Sequence, residues 1–130
     1  MAKDDYVASD WVPSVFIVYA GSNDMINLLP PTEAEFTTAY RTMIDSIVSP
    51  FMTTIGPLVY RKVLHVCNNV TAKTHPCDWI RGVANETNGT FSSTFGVPAH
   101  GCVGHRNVTE QAELATHLTP VIAGVAGWSV

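Results

Sequence analysis

The sequence has little charge, no excess of basic residues and no long apolar run. Charged residues make up 14 % of the 130-residue chain, and 7 Lys and Arg against 11 Asp and Glu give a net charge of −4. Without a basic patch, nucleic acid is not an expected partner. The longest unbroken apolar run, Val15–Ala20, is far too short to span a membrane. With 46 % hydrophobic residues, residues 1–130 are expected to form a single soluble domain.

The N-terminus also lacks the pattern of a signal peptide. Met1 is followed by Lys3, Asp4 and Asp5 rather than by a basic region and an apolar stretch. Yet the chain holds four Asn-x-Ser/Thr sequons, where chance predicts about one. Its three cysteines fit an oxidising compartment. We therefore expect a secreted glycoprotein whose N-terminal part is missing, with N-glycosylation sites at Asn69, Asn85 and Asn88.

The first half of the chain predicts a βαβ unit. The β-branched and aromatic run Val15–Tyr19 is typical of a strand buried on both faces in a parallel sheet. Thr32 and Glu35 have capping-box spacing, and an apolar stripe at helical spacing follows until Pro50. A second apolar run comes at Val63–Val66. The expected class is α/β with at least two parallel strands.

The second half is harder to assign. Residues 68–104 are rich in Asn, Thr, Ser, Gly and Pro and predict mostly loop, with a weak strand or short helix around Trp79–Val83. Asn107 and Glu110 again have capping spacing before a final helix, which Pro120 should kink or weaken in its first half. The apolar face of that helix is Leu114, Leu118, Val121, Ile122 and Val125.

Two segments could carry chemistry. Gly21-Ser22-Asn23-Asp24 lies at the carboxyl end of the first strand, where open α/β sheets bind ligands, although Asn and Asp there also make simple Asx turns. His105, in Gly101-Cys102-Val103-Gly104-His105-Arg106-Asn107, is a candidate general base or merely an exposed side chain. His100 lies close to that loop and is a further candidate for a substrate contact.

Together the two segments resemble the G-x-N-D block and the His block of the SGNH hydrolases, also called GDSL-type esterases. G-C-x-x-H followed by Asn and a long helix is similar to their carbohydrate-esterase branch, which has acetyl-xylan esterase activity. The resemblance covers Val15 to Trp128. It implies a three-layer, flavodoxin-like fold with a parallel sheet. It also implies a monomeric hydrolase of carboxylic esters, such as acetylated carbohydrates, with no cofactor, metal or membrane partner.

The resemblance also implies roles for individual residues. A Ser nucleophile is activated by the His, and the tetrahedral oxyanion is met by two backbone N–H groups and the Asn side chain. Asn23 would be that oxyanion-hole Asn, and His105 the general base and acid. Gly21 and Asp24 would support the turn.

Three departures from the family pattern stand out. Cys102 occupies the position three residues before the His where many members place an Asp, and Arg106 replaces the usual Pro. No Gly-Asp-Ser occurs, so the nucleophile is unknown, and Ser9 and Ser14 lack its context. The chain thus resembles the C-terminal part of such an enzyme. Alternatives are a lipase of the same fold, a non-catalytic secreted binding protein, or an inactive fragment that kept the fold without the nucleophile.

The remaining cysteine, histidine and tryptophan residues have mainly structural interpretations. Cys67 and Cys77 flank a turn-rich segment and predict a local disulfide, worth roughly 3 kcal/mol. Cys102 would be free or paired upstream. A metal site with His65 and His75 is disfavoured because the spacing is not that of a zinc site. His65 is expected to be a structural histidine, and His117 to be solvated. Trp128 is expected in the core or at the end of the last helix, and Trp79 is a candidate for stacking on a sugar. Asn107 is expected to cap the last helix and to carry no glycan.

Without a nucleophile, the 130-residue chain should show no turnover of esters. The measurement is hydrolysis of p-nitrophenyl acetate by the purified chain. A rate that depends on a Ser and on His105 would contradict this expectation.

Overall fold

Three parallel strands form one sheet in the order β1–β2–β3 in the computed structural model, which describes residues 11–26, 28–69, 76–94, 96–102 and 105–129. This confirms the α/β class with a parallel sheet. The strands are β1 Phe16–Val18, β2 Val63–Asn68 and β3 Thr90–Thr94. The α-helices are α1 Glu33–Val48, α2 Met52–Ile55, α3 Cys77–Glu86 and α4 Val108–Ala126. Segments of 3₁₀ helix cover Asn23–Ile26, Ser49–Phe51 and Gly56–Lys62.

Helix α1 begins and ends as its sequence predicts. The Thr32 hydroxyl accepts a hydrogen bond from the Glu35 N–H, and the Glu35 carboxylate accepts one from the Thr32 N–H at 2.9 Å. This capping box satisfies donors that the first turn leaves unpaired. The helix ends at Val48, two residues before Pro50. Its buried side chains recur every fourth residue and form one face against the core: Phe36, Tyr40, Ile44 and Val48.

Burial on both faces holds for β2 but not for β1. All six residues of β2 are buried, as expected of a central parallel strand. In β1, Phe16 and Val18 pack towards the core, but Ile17 between them is 48 % exposed. The prediction that the first strand is buried on both faces is therefore wrong. Ile17 lies on the opposite face of the strand from Phe16 and Val18, and that face is left about half uncovered at its position.

Residues 68–104 are predicted to be mostly loop, with a weak strand or short helix around Trp79–Val83; the short helix is confirmed, and the strand that follows it was missed. These residues include the ten-residue helix α3 and the strand β3. Neither element has a strong sequence signal. The buried residues of α3 are few and alternate with polar ones, and the sequence of β3, Thr-Phe-Ser-Ser-Thr, is mostly polar. In β3 the polar side chains are used within the sheet, since the hydroxyl of Thr94 donates to the Cys67 carbonyl at 3.0 Å.

The predicted disulfide between Cys67 and Cys77 is confirmed. The two Cα atoms lie 5.5 Å apart, and the bond joins the end of β2 to the first residue of α3. The disulfide therefore ties together the two ends of the segment that connects β2 to α3. Both cysteines are buried in the same hydrophobic cluster.

Helix α4 has the predicted capping box, in which Asn107 and Glu110 bond each other's backbone N–H groups. It continues through Pro120 to Ala126 and ends at Gly127 in the left-handed region. One expectation for this part of the chain is wrong, because His117 is partly buried and faces the sheet, with Nε2 3.3 Å from the Ser93 carbonyl oxygen. Of the two alternatives for Trp128, its 57 % exposure excludes the core, whereas its N–H caps α4 by donating to the Ala123 carbonyl at 2.8 Å. No helix in the described parts of the chain is long and apolar enough to cross a membrane.

His65 on β2 is the structural histidine that its apolar context predicts. It is fully buried, and its Nδ1 lies 3.1 Å from the hydroxyl of Tyr40 on α1. Burial lowers the pKa of His65 from 6.5 to about 4, because the charged imidazolium loses its hydration in the core. The neutral form is therefore the one that the fold accommodates.

This buried imidazole makes the stability of the fold depend on pH. The unfolded chain takes up a proton below about pH 6.5, whereas the folded chain resists it down to the lowered pKa. Stability contributed by neutral His65 is therefore present above pH 6.5 and is lost on acidification. Between pH 7 and pH 5 the free energy of unfolding should fall by about 2 kcal/mol from this group. Urea titrations at the two values measure it.

His65→Gln should remove most of this pH dependence, whatever its effect on stability at pH 7. The exposed His105, changed to Gln, is the matched control and should leave the pH dependence in place. An unfolding free energy that is equal at pH 5 and pH 7 in the unmodified chain would contradict the assignment.

Candidate active site

Both segments singled out in the sequence lie at one edge of the sheet. Residues 19–26 follow the carboxyl end of β1, and the described residues 96–102 and 105–106 follow β3 in the chain. Because the strands are parallel, these ends lie at the same edge. One side-chain contact joins the segments directly. Nη2 of Arg106, next to His105, donates to the Tyr19 hydroxyl at 3.0 Å, and its guanidinium lies 5.7 Å from the Tyr19 ring centroid.

The backbone at Gly21 requires glycine. Its φ is +100°, a conformation that other residues rarely adopt. A Cβ atom there would lie 2.9 Å from Cζ of the buried Phe36 and 3.2 Å from Cγ of Pro76. The chain thus passes close against α1 before the 3₁₀ helix that starts at Asn23. This close passage fixes where Asn23 and Asp24 leave the sheet, and both side chains are exposed there.

A cavity of about 320 Å³ lies beside this segment, between it and α1. Its walls are mainly apolar, and its carboxylates are those of Asp24 and Glu35. The apolar wall is formed by Ala20, Pro31, Phe36, Ala39 and Met43. Neither Asn23 nor His105 lines it, so the cavity adjoins the two candidate residues rather than containing them.

The loop that carries His105 is a closed turn. The Gly101 N–H donates to the His105 carbonyl at 2.7 Å, and the His105 N–H donates to the Cys102 carbonyl at 3.1 Å. A Cβ at position 101 would lie 2.6 Å from the His105 oxygen, so the turn needs glycine there. The main chain therefore holds His105, whose side chain is exposed. No hydrogen bond joins His105 to Asn23 in the part of the chain that the structure describes.

Glu110 is a site residue whose full role the sequence did not indicate. Its side chain is only 7 % exposed, and its carboxylate accepts hydrogen bonds from the backbone N–H groups of His100 and Asn107 and meets the ring of His100. Burial opposes the charge, but these hydrogen bonds outweigh it and hold the pKa of Glu110 below its usual value. The capping spacing pointed to the Asn107 contact alone, since the contact with His100 depends on how the loop folds back.

Two further polar residues meet behind this loop. Nδ2 of Asn68, at the carboxyl end of β2, donates to the Val97 carbonyl at 3.3 Å, and Nη2 of Arg106 reaches the same oxygen at 3.5 Å. Asn68 Oδ1 and Arg106 Nε are both buried and have no hydrogen-bond partner among the described residues. Unpartnered buried polar groups are rare in folded proteins. Arg106 also binds Tyr19, so it ties the loop that carries His105 to the residue directly after β1.

The other candidates have structural surroundings. Trp79 lies on α3, not in a loop, where it is half-buried and its ring centroid is 5.7 Å from that of Phe36. Cys67 and Cys77 are bonded to each other and cannot be metal ligands, and His75 lies outside the described residues. Within the described ranges no group of three or more His, Cys, Asp or Glu side chains could hold a metal ion. The sequon residues Asn69, Asn85, Asn88 and Asn107 are exposed.

Comparison with known proteins gave no match to a family model, to a curated protein or to a solved structure.

The geometry at Gly21 can be tested by one added methyl group. Gly21→Ala should lower the free energy of unfolding by about 1–3 kcal/mol, because the residue is forced into a strained backbone conformation against Phe36. Gly124→Ala is the matched control. Gly124 lies within α4 with no atom near its Cβ position, so this change should be neutral or stabilise by about 0.5 kcal/mol. Equal unfolding free energies for the two variants would contradict the assignment.

Proposed function

We propose that this chain carries part of the active site of a secreted ester hydrolase of SGNH type, which removes acetyl groups from carbohydrate esters. The proposal includes the three-layer, flavodoxin-like architecture of that family. The three-stranded parallel sheet is compatible with this architecture. Asn23 would donate to the oxyanion, and His105 would be the general base and acid.

The observation that carries the proposal is the bond between Arg106 and Tyr19. It links the residue beside His105 to the residue four positions before Asn23, across the carboxyl edge of the sheet. The two bonded residues are 87 positions apart in the sequence, so two distant segments meet where parallel sheets bind ligands. A chance match of two short motifs would not require them to share one edge.

The proposed reaction needs a hydrogen-bond donor that is already positioned before the oxyanion forms. An amide N–H₂ on a fixed turn can stabilise a developing oxyanion without reorganising. Gly21 fixes the turn that precedes Asn23. Since Cys102 stands where an orienting Asp is common, His105 would be placed by the main-chain bonds of its turn rather than by a carboxylate in that position.

The substrate class is argued from the cavity and from the composition of the surface. Apolar walls beside the Asn23 turn suit a small acyl group, while the carboxylates of Asp24 and Glu35 can accept hydrogen bonds from sugar hydroxyls. The disulfide and the exposed Asn69, Asn85 and Asn88 support a secreted glycoprotein. The nucleophile would come from a segment outside these 130 residues.

The deciding experiment is to sequence the source transcript upstream of Met1 and to express any longer reading frame. The expected product contains a strand followed by Gly-Asp-Ser and hydrolyses p-nitrophenyl acetate and acetylated xylan. A stop codon directly upstream would remove the nucleophile and with it the proposal, in favour of a binding protein or an inactive fragment.

In that longer protein, Asn23→Ala should lower kcat by about 10²–10³, the loss typical of one oxyanion-hole donor, with little change in KM. Steady-state kinetics measure the two constants. Asn85→Ala, an exposed Asn on α3, is the matched control and should leave both unchanged. An Asn23→Ala enzyme with the unaltered kcat would show that this amide does not contact the oxyanion.

A further inference from the structure

The loop that carries His105 holds a second imidazole in a more defined arrangement. Nδ1 of His100 lies 2.7 Å from Oε1 of Glu110, while the His100 side chain is 74 % exposed. The partner carboxylate is 7 % exposed and is fixed by backbone N–H groups on both sides of the pair. Nδ1 of His100 therefore contacts the buried carboxylate of Glu110, while most of the imidazole surface remains exposed to solvent.

This arrangement decides which nitrogen of His100 carries the proton. The lowered pKa of Glu110 keeps its carboxylate ionised at neutral pH, and an ionised carboxylate can only accept hydrogen bonds. Nδ1 must therefore be the donor. In the neutral ring, Nε2 then keeps its lone pair free to take a proton, and the imidazolium that forms remains paired with Glu110.

Two other described histidines lack this combination. His65 is fully buried against Tyr40. His105 is exposed, and in the described ranges no carboxylate lies within hydrogen-bond reach of it. His100 is both accessible and oriented by a third group, which is the arrangement of a general base.

We propose that His100, oriented by Glu110, is a second proton-accepting imidazole of this site, beside His105. This rests on the proposed function, in which the substrate is an ester and the proton comes from an attacking hydroxyl. Nε2 of His100 can take that proton in place of His105 as the oxygen attacks the carbonyl carbon, and it then returns the proton to the leaving alcohol. Glu110 acts through His100 as a positioning residue.

The test uses diethyl pyrocarbonate on the 130-residue chain, with the modified peptides quantified by mass spectrometry. Nε2 attacks a carbonyl carbon of the reagent, the anhydride C–O bond breaks, ethyl carbonate leaves, and the Nδ1 proton passes to solvent. The rate at each histidine reports its free lone pair. The charged groups near the ring are Glu110, which contacts it, and Arg106, which lies on the same loop and binds Tyr19 and Val97.

The informative variant is Glu110→Gln, because Gln at this position of a capping box still bonds the N-cap. We expect His100 to react several-fold more slowly in this variant, because a neutral amide oxygen accepts a weaker hydrogen bond from Nδ1–H than a carboxylate does. The rate at His105 should be unchanged. Glu113→Gln, an exposed carboxylate one turn along α4, is the matched control and should alter neither rate.

Equal changes at His100 and His105 would show that Glu110 only holds the loop, and no change at His100 would show that the carboxylate does not act on the ring. Either result overturns the proposal.

If Glu110→Gln does not fold, the ring ¹⁵N chemical shifts of the unmodified chain show which nitrogen of His100 carries the proton. Neutral His100 should carry its proton on Nδ1, and a proton on Nε2 would overturn the proposal. Neither readout needs ester turnover, so failure of the proposed function is separately visible.

Discussion

Burial of the central strand β2 is the constraint on which the rest of the structure depends. All six of its residues are buried, so its backbone N–H and C=O groups need partners on both sides. The parallel strands β1 and β3 supply them. The β2 side chains on one face join the core cluster with α1 and α3. Parallel pairing also brings the carboxyl ends of all three strands to one edge, so the location of the candidate site follows from how β2 is buried.

That edge is organised by polar contacts rather than by a hydrophobic core. A buried polar group is costly unless it is paired, and here the pairing decides which loops lie together. Glu110 satisfies its carboxylate with donors from both ends of the loop that contains His105. Arg106 connects the same loop to Tyr19, and Asn68 connects it to β2 through the Val97 carbonyl. The loop is therefore attached to three separate elements.

The parts of the fold that the sequence predicts are those set by local chemistry. The capping pairs Thr32–Glu35 and Asn107–Glu110, the spacing of the α1 face and the apolar run of β2 each depend on residues close in sequence. The missed parts depend on distant partners. Strand β3 has a polar sequence and is held by β2, and the ring of His117 faces a carbonyl of β3. At the candidate site, Asn23 and His105 are proposed from motifs, whereas the contacts of Glu110, Arg106 and Asn68 required the folded chain.

The disulfide has a consequence for producing the protein. It closes the crossover between β2 and α3, while the third cysteine, Cys102, is exposed and unpaired. An exposed thiol can exchange with a disulfide through a mixed intermediate. Oxidative folding of this chain therefore has competing products, in which Cys102 captures Cys67 or Cys77 or links two chains. A host with a disulfide isomerase, or a Cys102→Ser variant, would direct the chain to the single pairing that the fold contains.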